Sequence, residues 1–225
     1  MGNLPFYINV VFGLTTILTV LIFVKASNNS IATLVILLAW LGGQAALGLS
    51  GFYTLTKGFP PRFILLGLPA LVCILVLFAT AKGRKYIDSL NIRGLTILHI
   101  VRIPVEIVLY WLFLYKAVPK IMTFEGRNFD ILAGLTVPLV FYLAFIKKRV
   151  GRGLLLAWNF ICICLLLNIV VLAILSAPFP FQQLAFDQPN IAVLYFPFVW
   201  LPCCVVPLVL FSHLASIRHL FKRKE

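Results

Sequence analysis

This sequence predicts an all-α membrane fold: a bundle of seven transmembrane helices, N-terminus out and C-terminus in. Three observations carry the prediction. Hydrophobic residues make up 62% of the 225 and charged residues 11%, with a mean hydropathy of +1.08. An average soluble domain is roughly 25% charged, so lipid must solvate most of this apolar surface. The apolar residues also form seven unbroken runs, Phe6–Val24, Ile31–Leu55, Phe63–Ala81, Leu95–Lys116, Phe129–Ile146, Leu154–Ala177 and Ile191–Ile217. Each suffices for a crossing, which takes ~20 residues as a helix. Finally, the cations gather between the runs. Thirteen Lys and Arg fall in one set of connections and five in the other, with Arg102 inside a run. The positive-inside rule assigns the richer set to the cytoplasm, and a missed or false span would scramble the split.

Helices rather than strands follow from the continuity of the runs. A helix bonds its own backbone groups, for which lipid offers no partners. Membrane barrel strands would alternate in ~10-residue units. The runs and their short connections use up residues 1–225, which leaves one domain and no room for a separate soluble one.

The first run has no Lys or Arg before it and so lacks the basic segment of a secretory signal. Val24-x-Ala26 faintly resembles a cleavage site, but an uncleaved span is expected. The second run carries Ala39, Gly42, Gly43, Ala46, Gly48 and Gly51. Small residues let helices approach closely; internal packing is the plainer use, and a homo-oligomer contact is the alternative. The third run holds no ionisable side chain other than Cys73, and the fifth carries Asp130 at its start. The sixth holds Asn159 and Asn168, nine residues apart and so on opposite faces, where interhelical hydrogen bonds are expected, as for Gln44 in the second. The last holds Pro197, Pro202 and Pro207. Each removes a backbone donor and bends a helix, so this span should be bent and packed within the protein.

The outer connections have their own character. Residues 178–190 read Pro-Phe-Pro-Phe-Gln-Gln-Leu-Ala-Phe-Asp-Gln-Pro-Asn, too apolar for a solvated loop, and should fold back onto the helix ends or lie in the interface. Tyr53, Tyr115, Phe124, Phe129, Phe186 and Tyr195 are expected to form the outer aromatic belt.

The fourth run carries the chemistry. His99, Arg102, Glu106 and Tyr110 follow at spacings of three, four and four. At 100° per residue they share an arc of about 80° and a stack of ~16 Å on one helix face. Ionisable groups are rare inside membranes and usually face a protein interior or a water-filled cavity. Arg102 and Glu106 are spaced to pair, and Pro104 leaves the carbonyl of Ile100 without its helical donor. Two accounts follow. In the first the pair is architectural, and it adds little net stability although losing one partner is severe. In the second the stripe lines a site that binds a small polar ligand or relays a proton, with Arg102 as the anion-binding fork. Glu125, Arg127, Asn128 and Asp130 cluster before the fifth run. Asn128 or Asp130 is suited to cap that helix; alternatively the cluster, with Asp187, forms an outer mouth leading to Glu106.

Several classes are excluded. The net charge of +13 is spread over short clusters between apolar runs, which fits a bilayer partner and no nucleic acid. All five cysteines (Cys73, Cys162, Cys164, Cys203, Cys204) lie in apolar runs, so no disulfide framework is implied. Their spacing is poor for zinc. His213 and His219 are six apart, on opposite faces, so no metal site is expected there; headgroup contact is the expectation for His219. No phosphate loop, His-Glu-x-x-His or Gly-x-Ser-x-Gly pattern occurs, and the last run has no Lys for a retinal Schiff base. No cofactor is expected. Transport of a small solute, proton-coupled transport or ligand binding through the fourth-helix stripe is the leading expectation. An enzyme acting on a lipid or isoprenoid, with Glu106 as acid or base, and a structural or assembly protein are the alternatives. The expected location is the cell (inner) membrane, as a multi-pass protein.

Overall fold

A computed structural model describes residues 4–56 and 61–222. Lys57, Arg223 and Lys224, three of the cations counted for orientation, lie outside them. Every described element is helical and no strand occurs among the described residues. The helices are α1 (Phe6–Ala26), α2 (Ile31–Leu49), α3 (Ile64–Ala79), α4 (Ala81–Ser89), α5 (Ile92–Leu98), α6 (Arg102–Leu114), α7 (Ile131–Phe141), α8 (Arg152–Leu175) and α9 (Val206–Lys222). Five helical stretches are long and apolar enough to cross a membrane: Phe6–Ala26, Ile31–Leu49, Ile92–Leu114, Arg152–Leu175 and Leu201–Lys222. They fall within five of the seven apolar runs or overlap them closely. The other two runs are also helical but shorter. α3 turns by 95° into α4, and α7 continues only through a π-helical turn at Tyr142–Ile146.

The boundaries that differ from the apolar runs have local causes. α2 stops at Leu49 instead of Leu55 because Gly51 adopts a left-handed φ of 73° just past the cap, where glycine ends helices at least cost. Thr80 ends α3 in an extended conformation, and its Oγ1 accepts from Gly83 N at 3.1 Å to start α4. The last run is not helical from Ile191. A short 3-10 turn covers Ala192–Leu194 and the helix resumes as a π-turn at Leu201–Val205. Pro197 and Pro202 lack the donors a regular helix would need across that stretch.

α5, α6 and α9 form the enclosed centre, with α1, α7 and α8 packed around them. Pro207 frees the carbonyl of Cys203, and Trp40 Nε1 of α2 donates to it at 2.8 Å, so the bent last helix is tied into the bundle. Within the small-residue series, Gly48 packs inward, its Cβ position 3.1 Å from Val199, while Gly42 and Gly43 face open space. Internal packing therefore accounts for one end of the series only.

Residues 178–190 do fold back: Gln188 Nε2 donates to the carbonyls of Phe113 (3.0 Å) and Val118 (2.6 Å), and Phe179 is buried. Tyr53 leaves the expected belt. It is fully buried, its hydroxyl donating to Gln44 Oε1 at 2.6 Å, because a buried phenol needs a partner and Gln44 supplies one. At the opposite end Asp88 of α4 binds Arg218 of α9 through two bonds (2.8 and 3.1 Å) and also Lys222. His219 Nε2 bonds the carbonyl of Ile87 at 2.8 Å. It makes this contact instead of the expected one to headgroups, because α4 folds across the end of α9.

Candidate functional site

Asn91 starts α5, its Oδ1 accepting from Arg93 N (2.9 Å) and Gly94 N (3.4 Å). A 3-10 turn at His99–Val101 then joins α5 to α6. Pro104 consequently falls in the first turn of α6, where a missing N–H is tolerated, and the rod of Ile92–Leu114 continues. His99, Arg102 and Glu106 remain on one face and are 0–2% exposed. Tyr110 is half-buried further out, its ring 4.9 Å from that of Phe124.

The expected Arg102–Glu106 ion pair does not form. Arg102 Nη1 lies 3.1 Å from Asp130 Oδ1, and Nη1 and Nη2 each donate to the carbonyl of Cys162 at 3.4 Å. Glu106 turns instead to Asn128, whose Nδ2 lies 2.6 and 2.7 Å from its two oxygens and 3.0 Å from the carbonyl of Met122. The cause is the close approach of α7. A Cβ on Gly134 would lie 2.9 Å from Ile103 Cγ1 and 3.3 Å from Arg102 Cβ, so only glycine fits at this crossing. That approach brings the start of α7 beside α6, and the guanidinium finds an interhelical carboxylate before its own neighbour.

The outer-mouth group therefore divides. Asn128 and Asp130 are buried in the cluster, whereas Glu125, Arg127 and Asp187 are exposed. Asp130 occupies the N-cap position of α7 without capping it, since its carboxylate serves Arg102. Asn128 Oδ1 accepts from Asp130 N at 3.0 Å. Asp130 and the histidines thus belong to neighbouring layers, with Arg102 between them.

The second layer joins α5, α8 and α9. The imidazoles of His99 and His213 stack at 3.7 Å with 12° between their planes. Trp158 meets both edge-on, at 5.6 and 5.7 Å. His213 Nδ1 bonds Asn159 Oδ1 at 2.8 Å, and Asn159 Nδ2 donates to the carbonyl of Leu155 at 2.8 Å. Both ring nitrogens of His99, Nε2 of His213, Nε of Arg102 and Oγ of Ser216 are buried without a hydrogen-bond partner. Buried polar atoms are nearly always paired. Four of the five orphaned atoms belong to His99, His213 and Arg102, the residues of these two layers.

Sequence reasoning missed His213, Asn159 and Trp158 as members of this site. Spacing along one helix shows which residues share a face, and no pattern in the chain shows which faces of separate helices meet. Among the described residues no group of three or more His, Cys, Asp or Glu is arranged to hold a metal.

The chain belongs to the family described as a domain of unknown function, DUF8737, which matches residues 60–221. That stretch contains every member of both layers. No curated protein and no solved structure matches the chain.

Proposed function

We propose that this protein moves a small solute across the membrane in a proton-linked manner, using the column of His99, His213, Arg102, Asp130, Glu106 and Asn128 as its working site. One observation carries the reading. His99 is 0% exposed and neither ring nitrogen has a partner, while the ring stacked on it also has a free nitrogen. An imidazole kept inside a membrane protein without bonds is poor architecture, and it is the side chain best suited to accept and release a proton. Charge balance supports the same reading. Glu106 and Asp130 bring two carboxyls to one guanidinium, so a proton or a cation must complete the group if it is to be neutral.

The reading includes the seven-span plan, N-terminus out and C-terminus in, in the cell (inner) membrane. α3 and α7 are then its two short spans. α7 and its π-turn start deep, at the level of the Arg102 layer, and the segment 117–130 reaches inward to meet them. The test uses Trp158, whose contact with both imidazoles makes its emission sensitive to their charge. Wild-type protein in lipid vesicles should show a pH-dependent emission component that disappears in Trp158→Phe, His99→Gln and His213→Gln. A pH response that is unchanged in both histidine variants would end the proposal.

A second reading has its own support. The Arg102–Asp130 contact ties α6 to α7 with side chains 3% and 7% exposed, as a structural clamp would. The pH response of Trp158 separates it from the first, because a clamp alone predicts none. A lipid-active enzyme has less behind it, because Glu106 is 1% exposed and walled by protein.

A further inference from the structure

A cavity of about 460 Å³ lies among α1, α2, α3 and α9. It uses Cys204 of the π-turn and Leu208 and Phe211 of α9, on the side opposite His213, so it is separate from the polar column. Its walls are apolar along Ile36, Leu37, Ile74 and Leu77. Six lining residues, from the cap Ser30 to Trp40 of α2, run along it, a depth of ~15 Å. α2 and α3 barely touch each other here, and the outward residues flanking the gap, Ile36 and Cys73, are exposed. The cavity therefore opens sideways toward hydrocarbon.

One end differs from the rest. Ser30, Thr33 and Tyr86 bring three hydroxyls to it, with Tyr86 Oη 3.0 Å from Thr33 Oγ1. Tyr86 belongs to α4, which turns by 95° from α3. On α4, Lys82 stands one turn before Tyr86 on the same face and Lys85 is its neighbour, and both are exposed.

We propose that this cavity binds one anionic phospholipid, with an acyl chain along α2, α3 and α9 and its phosphate against Lys82, Lys85 and the hydroxyls. A gap walled by apolar side chains and open to hydrocarbon is filled by hydrocarbon, which restores the dispersion contacts that a void forfeits. The cationic, hydroxyl-bearing end supplies what a phosphodiester needs, and anionic lipids are attracted to basic segments beside membrane helices. The inference does not depend on the proton-linked reading, since no residue is shared.

The test is native mass spectrometry of the full chain released from detergent with phosphatidylglycerol or phosphatidylcholine of identical chains. Phosphatidylglycerol should be retained about tenfold better. Lys82→Glu with Lys85→Glu should reduce it to the phosphatidylcholine level. Ala70→Phe, which puts a ring into the cavity, should reduce both lipids. Should that variant fail to fold, alkylation of wild-type Cys73 by N-ethylmaleimide replaces it. Bound phosphatidylglycerol should slow Cys73 severalfold and leave the exposed Cys164 of α8 unaffected. Equal retention of the two lipids, indifference to the Lys82 and Lys85 reversals, or unprotected Cys73 with lipid bound would each overturn the proposal.

Discussion

Arg102 shows how far one side chain can be read and where the reading stops. Its burial and its helix face are legible from three- and four-residue spacing within an apolar run. Its partner is not, because Asp130 lies 28 positions on, across a segment whose path depends on the Gly134 crossing. The Asp130 contact makes a definite prediction. Arg102→Leu leaves a buried carboxylate without its cation and should cost about 3–5 kcal/mol. Adding Asp130→Leu should recover most of that loss, because well-packed apolar replacements of a buried pair are often neutral. Thermal unfolding in detergent checks both values. If the double variant stays as unstable as the single, Arg102 owes its place to the Cys162 carbonyl or to Glu106 instead. Gly134→Ala should cost about 1–3 kcal/mol by forcing α6 and α7 apart, read in the same assay.

At the scale of the element, apolar runs located the helices well and their ends poorly. The ends were set by local chemistry: the left-handed Gly51, the cap at Thr80 and the prolines before Val206. Proline in a membrane helix carries a further consequence that the structure makes specific. Pro207 frees Cys203 O and Trp40 Nε1 takes it. Trp40→Phe should therefore cost about 1–3 kcal/mol, since a buried carbonyl is left unmatched; a loss well below that range would mean water replaces the indole. α4 is the element the sequence described least, as it reads only as a basic connection. Its anchor is Asp88, whose carboxyl is pushed down to about 2, first by its hydrogen bond to Arg218 and then by Lys222. A depressed value means the folded state favours the carboxylate. The contribution is complete above the ordinary value of 3.8 and fades as pH falls toward about 2. Wild type should lose stability over that window, and Asp88→Asn should lose less there while starting lower at neutral pH. Parallel curves for the two proteins would show that the anchor does not bind α4 to α9 in solution.

For the whole molecule, composition alone pointed to lipid as the solvent, and five helical stretches are long and apolar enough to cross a membrane. The arrangement of the bundle was beyond it. Nearly every run is apolar on all sides, so no stripe says which face turns inward, and the stacking of His99 on His213 brings together residues 114 positions apart. What the assembled molecule adds is a closed polar column through four elements of the bundle, with two carboxyls, one guanidinium and two imidazoles. The central claim is that this column takes up and releases a proton. Infrared difference spectroscopy of the protein in vesicles, stepped in pH, reads imidazole ring modes and the C=O stretch of a protonated carboxyl in one spectrum. The account predicts pH-dependent imidazole bands in wild type that are lost in His99→Gln or His213→Gln. A spectrum with no pH-dependent imidazole or carboxyl band, or with imidazole bands unchanged in both variants, would contradict it.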